Sequence, residues 1–547
     1  MDFEMRQAQL DSKSSQVNRH ELGLGGDRDE MTLARLGKKQ VLKRNFGFLS
    51  MMSFSCTVLV TWEGVLVLFA TGFLNGGTAG LVWQFILVWA GTLSTFVTIG
   101  ELASMAPTAG GQYHWVNMLA PKSTRNFLSY ITGWMTVLAW VATIATGAFL
   151  SATMIQALCL INWPDYANVY AGWQGTLISW AVVLVCVFFN TVVGSLLPKV
   201  EGSFMTLHIL GFFAILIPLV YYAPKATTKD VFGSTTGYQN LGNWPTYGTS
   251  FMVGTLGAAF SFVGADAAVH MSEEISNAAV NVPRSIFFSI IINGSLGFGM
   301  LLAIIFCLGD PQAALEAQET IGYPFIEVFW SATQSLGGAT GMTSIVIALA
   351  FSCTIGFMAT ASRIIWSFSR DRGLPFSRVL CHISPHSTIP TYAVIVAATI
   401  PCLLVLINIG STVVFNAVTS LALVGFYSTY FMCCALLLFR RLTATIHQPD
   451  PSAAATAAYK DQDTDEYVLV WGPWHLKGAV GVANNFLACC YLILIWIFGF
   501  FPPATPVIGE TMNWSSVVFG GTALFAVFYY LVRGRKEYRG PLIEISL

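Results

Sequence analysis

Phe204-Met-Thr-Leu-His208-Ile-Leu-Gly-Phe-Phe-Ala-Ile-Leu-Ile-Pro218-Leu-Val-Tyr-Tyr222 runs for nineteen positions without an Asp, Glu, Lys or Arg. A helix needs roughly 20 predominantly apolar residues to cross the hydrocarbon core of a bilayer. Gly175–Val193, Ile286–Leu308 and Ala483–Phe501 repeat the pattern. These runs point to an all-α integral membrane protein, because a helix satisfies its own backbone polar groups in lipid. Composition agrees: 55% of the 547 residues are hydrophobic and 10% are charged, whereas soluble domains carry about 25% charged residues. A water-exposed surface needs more charge than that to stay dissolved.

Working outward from these runs, Pro, Gly and polar punctuation divides the chain into twelve spans. They lie at about 46–72, 78–104, 125–158, 174–195, 203–223, 249–271, 286–309, 340–369, 389–409, 411–438, 479–501 and 514–532. With both termini cytoplasmic and the spans alternating, 25 of the 27 Lys and Arg fall on the cytoplasmic side. Only Lys225 and Lys229 fall outside. That is the asymmetry of the positive-inside rule. The expected organisation is a cytoplasmic tail over 1–44, a ten-helix core over 45–440, a cytoplasmic linker over 441–478, helices 11 and 12 over 479–532, and a cytoplasmic tail over 533–547. The first 44 residues and Thr443–Glu466 are polar and poor in aromatics, so both are expected to be mobile. No signal peptide is expected, and span 1 itself would direct insertion. Residues 325–337 read as a short re-entrant or surface helix. Asn513-Trp514-Ser515 in an outer loop is a glycosylation candidate, while Asn293-Gly294-Ser295, inside a span, is a chance match.

Other function classes find little support. A net charge of −1 suggests no nucleic-acid partner. The eleven cysteines sit mostly in apolar runs without a CxxC pair, and read as small hydrophobes, neither metal ligands nor disulfides. The eight histidines are scattered and form no HExxH; His382 and His386 flank Pro385 and read as surface residues. No enzyme activity, metal or cofactor is expected.

Charges within the spans carry the chemistry. An acid at the bilayer centre costs about 2.5–3.5 kcal/mol on insertion scales, so it faces a cavity or a partner. Span 1 contains Thr57, Thr61, Trp62, Glu63 and Gly64. Span 6 contains Phe260, Phe262, Gly264 and Asp266. An acid beside a glycine in the first and the sixth spans predicts a broken helix in each, lining a mid-membrane site. Glu63 and Asp266 are candidates to bind an ammonium group or a proton. His208 in span 5 either bonds a neighbouring carbonyl or relays a proton. Trp62, Trp134, Trp140, Phe260 and Phe262 are candidates for an aromatic cage, among 74 aromatics that mostly pack or face lipid. Ser352-Cys353-Thr354 in span 8 reads as helix-packing glue.

Three motifs then bring a family into view. Glu101-Leu-Ala-Ser-Met-Ala-Pro107-Thr-Ala-Gly110-Gly111-Gln-Tyr113-His-Trp115 closes span 2. Glu273-Glu274-Ile-Ser-Asn277 with Pro283-Arg284-Ser-Ile286 follows span 6. Ser362-Arg363 and Arg370-Asp371-Arg372-Gly373-Leu374-Pro375 follow span 8. Together they resemble motifs of the amino acid–polyamine–organocation permeases, over about residues 40–535. Ser53–Gly64 and Gly264–Glu274 look most like the fungal branch that carries amino acids, choline and γ-aminobutyrate. The resemblance implies two inverted five-helix repeats plus two extra helices, and a substrate site between spans 1, 3, 6 and 8. Relatives place a lysine in span 5; here that neighbourhood offers Leu207 and His208. The Thr61-Trp62-Glu63-Gly64 break, with an acid, favours an ammonium-bearing substrate.

The expected function is a secondary active permease, proton-driven, for choline, γ-aminobutyrate, an amino acid or a polyamine. Its partners are that small molecule and the lipid bilayer; the oligomeric state stays open. Substrate contacts are expected at Thr57, Thr61, Trp62, Glu63, Gly64, Phe260, Phe262, Gly264 and Asp266. Proton coupling is expected at Glu63, Asp266 or His208. Glu101, Glu273, Glu274, Arg284 and Arg363 are assigned to a cytoplasmic gate or to helix anchoring. The plasma membrane is the expected location, with internal membranes as the alternative. A nutrient sensor on a permease scaffold is the competing function.

Overall fold

Apolar length predicts where the chain crosses, and the computed structural model places helices there. It describes residues 28–233, 237–384, 388–410, 412–448, 466–509 and 512–544. Pro385 and His386 lie outside the described residues, as do most of 443–466 and the first 27 residues. Eleven helical stretches are long and apolar enough to cross a membrane. Span 1 comprises Phe48–Leu59 and Thr61–Val67, span 2 Gly77–Met105, span 3 Arg125–Asn162, span 4 Gly172–Thr191 and span 5 Leu197–Tyr222. Span 7 is Ala278–Phe306, span 8 Leu336–Arg370, span 9 Thr391–Val405, span 10 Thr412–Leu442, span 11 Gly478–Phe498 and span 12 Ser515–Tyr529. The twelfth crossing, span 6, is interrupted: Tyr247–Phe260 and Ala267–His270 are each too short to cross alone. Among the described residues there is no β-strand, only two isolated bridges.

The packing repeats itself between the halves. Span 2 packs on span 7, span 3 on span 8 and span 4 on span 9. Spans 3–4 and 8–9 form matching neighbours, and the 4–8 contact is mirrored by 9–3. Exchanging spans 1–5 for 6–10 therefore maps these contacts onto one another. Five is odd, so alternating spans make the two halves opposite in direction. Span 11 packs against spans 2 and 10, and span 12 against spans 3 and 10. Span 12 stays largely exposed along Leu524, Phe525, Phe528 and Leu531, an apolar face suited to lipid.

Both expected breaks are present, but in span 1 the expected Thr61-Trp62-Glu63-Gly64 is helical and the break lies just before it. Span 1 breaks at Val60, whose φ of 40° puts a β-branched residue in the left-handed region. The break exposes backbone groups, and Asn293 of span 7 takes them. Its Oδ1 accepts from the Thr61 N–H at 3.2 Å, and its Nδ2 donates to the Cys56 carbonyl at 3.3 Å. Span 6 turns through Ser261–Asp266, where Gly264 has a φ of +94°, open to glycine but strained for other residues. The breaks touch at Gly64: a Cβ there would lie 2.8 Å from Ser261 Oγ, so only glycine allows this approach.

Two expectations are corrected here. Residues 28–47 are not a mobile tail. Arg28–Arg35 is helical, and Phe46 pairs with the chain after span 6 through Phe46 N–H to Glu274 O and Ser276 N–H to Phe46 O. Asn513 is buried, its amide donating to the Gly499 and Phe501 carbonyls while its Oδ1 accepts from Ser515 N–H. An amide committed to both carbonyls is not presented for a glycan. The short helix expected over 325–337 runs Pro324–Thr333, buried along Phe325, Ile326, Val328 and Phe329, while Leu336 and Gly337 already belong to span 8.

Candidate functional site

A cavity with about 590 Å³ of empty space, counting its mouth, lies where the two breaks meet spans 3 and 8 midway along their lengths. Its walls are mostly apolar, with Phe260 and Phe357 among them. Thr143, Thr146, Ser261 and Cys353 supply small polar groups. Glu63 is the one charged residue lining it among the described residues. An apolar pocket with a few convergent polar groups is the usual form of a small-molecule site.

Glu63 is 2% exposed. Its Oε1 lies 2.7 Å from His208 Nδ1, across from span 5. Its Oε2 has no hydrogen-bond partner among the described residues. A buried carboxylate oxygen without a donor is costly, and a ligand cation would relieve it. Trp62 does not face the cavity; it packs on His208 and Phe212 at ring separations of 5.8 and 6.0 Å, backing the pair.

Asp266 occupies a different environment. Tyr430 OH donates to its Oδ1 at 2.5 Å and Gln112 Nε2 donates to its Oδ2 at 2.6 Å. His270 Nε2 stands 3.3 Å away, while His270 Nδ1 bonds the Ala109 carbonyl. Both carboxylate oxygens are occupied, and Asp266 is not among the cavity-lining residues. The arrangement ties the turn of span 6 to span 10 and to the segment after span 2.

Of the substrate contacts expected from sequence, Glu63, Gly64 and Phe260 line the cavity. Thr57 bonds Glu201 beneath it, and Phe262 packs on Phe85 at 5.5 Å. Thr61 contributes its backbone N–H to Asn293, and Gly264 shapes the turn. Trp140 stands against His270 and Phe426, and Trp134 against Phe525 and Tyr529.

The face where the N-terminal segment lies is sealed by buried ion pairs. Arg370 pairs with Glu273 at 2.7 Å, Arg363 with Glu274 at 2.7 Å, and Arg441 with Glu101. The Leu476 N–H also donates to Glu101, at 2.6 Å. Arg284 is exposed and joins no ion pair among the described residues. Lys38 inserts from the N-terminal segment onto Asp371 at 2.5 Å, with both side chains buried. Asp371 also accepts from Tyr113 OH and from the Leu542 N–H. Burial would raise the Asp371 pKa, but Lys38 and Arg370 outweigh it and hold the carboxyl below its ordinary value. His114, beside this network, is held at a pKa of about 3 by burial and by the charge on Lys38. The three motifs read from sequence thus meet: Tyr113 from the first, Glu273 and Glu274 from the second, Arg363, Arg370 and Asp371 from the third.

Sequence reasoning missed several residues. Glu201 fell outside span 5 because the apolar run starts at 203, whereas the helix starts at Leu197. A carboxylate two helical turns before His208 was the signal. Asn293 was passed over as a chance sequon. Gln112 and Tyr430 carried no signal, since only the fold brings them to Asp266.

Comparison with known proteins places the chain among permeases. The amino acid permease family model matches residues 46–523. The amino-acid permease BAT1 of Arabidopsis thaliana is 29% identical over 544 residues, 96% of this chain and 100% of that protein. The choline transporter of Saccharomyces cerevisiae is 26% identical over 497 residues, 91% of this chain and 83% of that protein. The transmembrane transporter swnT of Metarhizium robertsii is 27% identical over 509 residues, 91% of this chain and 92% of that protein.

Proposed function

The chain belongs to the amino acid permease family, and from that premise we propose that it is a secondary active, proton-driven permease for an ammonium-bearing solute. The candidates are choline, γ-aminobutyrate, an amino acid or a polyamine. The observation that carries this reading is the free oxygen of Glu63: one buried carboxylate oxygen without a partner, in an otherwise apolar cavity. An ammonium group entering from the cavity gains a charge-assisted hydrogen bond there. Phe260 and Phe357 offer apolar and aromatic walls for the methyl or methylene groups beside it.

Alternating access requires two gates. The buried pairs Arg370–Glu273 and Arg363–Glu274 form the one at the N-terminal face, which we assign to the cytoplasm on the excess of Lys and Arg there. Asp266, with both oxygens occupied, acts as a positioning group for the turn of span 6. The plasma membrane is the proposed location.

Glu63→Gln keeps the size of the side chain and removes its charge. A hydrogen bond to a charged group contributes about 1.5–3 kcal/mol, so uptake at limiting substrate should fall by roughly 10- to 150-fold. Radiolabelled uptake of choline, γ-aminobutyrate, arginine and putrescine, by wild type and variant, measures this. Unchanged uptake by Glu63→Gln would remove Glu63 from the site. A sensor, in contrast, would show ligand binding without flux.

A further inference from the structure

Glu201 lies in span 5, fully buried and seven residues before His208. Residues seven apart share a helix face, here about 10 Å apart along the axis. Glu201 Oε2 lies 2.5 Å from Thr57 Oγ1 on the inner half of span 1, and its Oε1 has no partner among the described residues. No Lys, Arg or His stands within ion-pair distance of it among the described residues. The ionisable groups on the elements packed against span 5 are Cys56 and Glu63 of span 1, Cys353, Arg363 and Arg370 of span 8, Arg284 of span 7 and Glu327 of the 324–333 helix. The two span 8 arginines are committed to Glu274 and Glu273, and Arg284 is exposed. Cys353 lies within electrostatic reach of both Glu63 and Glu201, and it lines the cavity.

Thr57 bears on the proton inventory. Its hydroxyl has one hydrogen and three acceptors in reach: Ser53 O at 3.0 Å, Phe54 O at 3.1 Å and Glu201 Oε2. When that hydrogen points to Oε2, Thr57 donates to a Glu201 carboxylate. When it turns to a helix carbonyl, the same contact is kept by a protonated Glu201 donating to Thr57, so the pair suits both states. A neutral carboxylic acid also suits a buried site with no cation beside it.

The Glu63–His208 pair cannot hold the transported proton and an ammonium at once. With the ammonium on Glu63 Oε2, a proton on His208 sits across one carboxylate from a second positive charge. Such a pair makes proton and cation compete. A proton that travels with the solute needs a second site.

We propose that Glu201 is that site: the group that carries the co-transported proton and releases it when the inner half of span 1 parts from span 5. The inference rests on the transport reading above. In the step, the arriving ammonium displaces the proton from the His208 imidazolium. That N–H bond breaks, and through intervening water an O–H bond forms on the Glu201 carboxylate left by the previous cycle. The pair stays neutral overall, as Glu63 carboxylate with bound ammonium, and Glu201 passes from −1 to 0. Protonated Glu201 then donates to Thr57 and latches span 1 to span 5. When the N-terminal face opens, this hydrogen bond breaks, water reaches Glu201 and the proton leaves to it.

The test uses the full chain in proteoliposomes with a pH gradient of one unit, acid outside, and the radiolabelled solute that wild type takes up from choline, γ-aminobutyrate, arginine and putrescine. One proton per solute supports about tenfold accumulation at most. Wild type should approach that ratio, Glu201→Gln should fall to about 1, and Glu201→Asp should restore accumulation. Thr57→Val, which removes the one partner of Glu201, should shift the internal pH at which uptake is half-maximal. Folding is checked by monodispersity and by thermal stabilisation with the same solute. Wild type without gradient-driven accumulation would sink the transport reading itself, and this inference with it. Wild-type and Glu201→Gln ratios that match would overturn only the role of Glu201. So would a folded Glu201→Asp that fails to restore accumulation. Should Glu201→Gln not fold, an unchanged pH profile in Thr57→Val overturns the proposal, and a shifted one supports it.

Discussion

At the scale of single residues, the contrast between Glu63 and Asp266 shows how partners set a role. Both are buried acids beside a glycine. Asp266 has a donor on each oxygen, Tyr430 and Gln112, and is tied to the protein on both sides. Glu63 has one partner and one free oxygen, and can act on a ligand. The sequence located both acids but could not separate them, because Gln112 and Tyr430 come from distant parts of the chain. His114 belongs to the same scale. Its folded pKa of about 3 lies below an ordinary histidine value of about 6.5. As pH falls through that window, the unfolded chain binds a proton that the folded chain does not, so stability declines. By pH 5 the loss is about 2 kcal/mol. Thermal unfolding in detergent at pH 7 and pH 5 should show a drop for wild type that is smaller in His114→Gln. An equal drop in both would acquit His114.

At the scale of elements, each broken helix depends on a neighbour to satisfy what the break frees. Span 1 leans on span 7, where Asn293 takes the Thr61 N–H and serves the Cys56 carbonyl. A buried polar group left without its partner costs about 1–3 kcal/mol. Asn293→Leu should therefore lower the thermal midpoint measurably and weaken substrate affinity, since the Val60 conformation loses its support. A variant with wild-type midpoint and wild-type KM would show that water or another group replaces the amide. The expectation of a break was legible in the sequence from the acid and glycine in spans 1 and 6. How the freed groups are satisfied was not, because Asn293 is 232 residues from Thr61. The start of span 5 shows a related limit. Hydropathy places it after Glu201, whereas helical hydrogen bonding carries the element back to Leu197.

At the scale of the whole molecule, both ends of the described chain close the N-terminal face. Lys38 enters from one side onto Asp371. From the other come Leu542, whose N–H reaches Asp371, and Glu544, whose Oε2 accepts from the Lys39 N–H at 2.9 Å. Glu544 also stands 3.6 Å from Arg370. Tyr538 adds a hydroxyl contact to Ser129 of span 3 at 2.5 Å. Opening this face has to undo them. Deleting residues 538–547 should raise hydrogen–deuterium exchange in residues 28–47 and 267–275 by about tenfold or more, since each charged hydrogen bond contributes about 1.5–3 kcal/mol. Unchanged protection would mean that the C-terminal segment rests on the gate without bracing it. Polar composition alone reads the first 44 residues as a loose tail, because Lys38 becomes a buried residue only when Asp371 is there to receive it. The sequence by itself determined that the chain is helical and spans a membrane, since apolar length and low charge depend on no distant contact. It also pointed to breaks in spans 1 and 6, since an acid and a glycine within an apolar run are local features, although the span 1 break falls at Val60, ahead of the acid. Only the tertiary structure decided which acid faces the cavity, which residues seal it and that Glu201 lies beneath it. Those roles depend on partners 89 or more residues away, and buried charge takes its meaning from its partner.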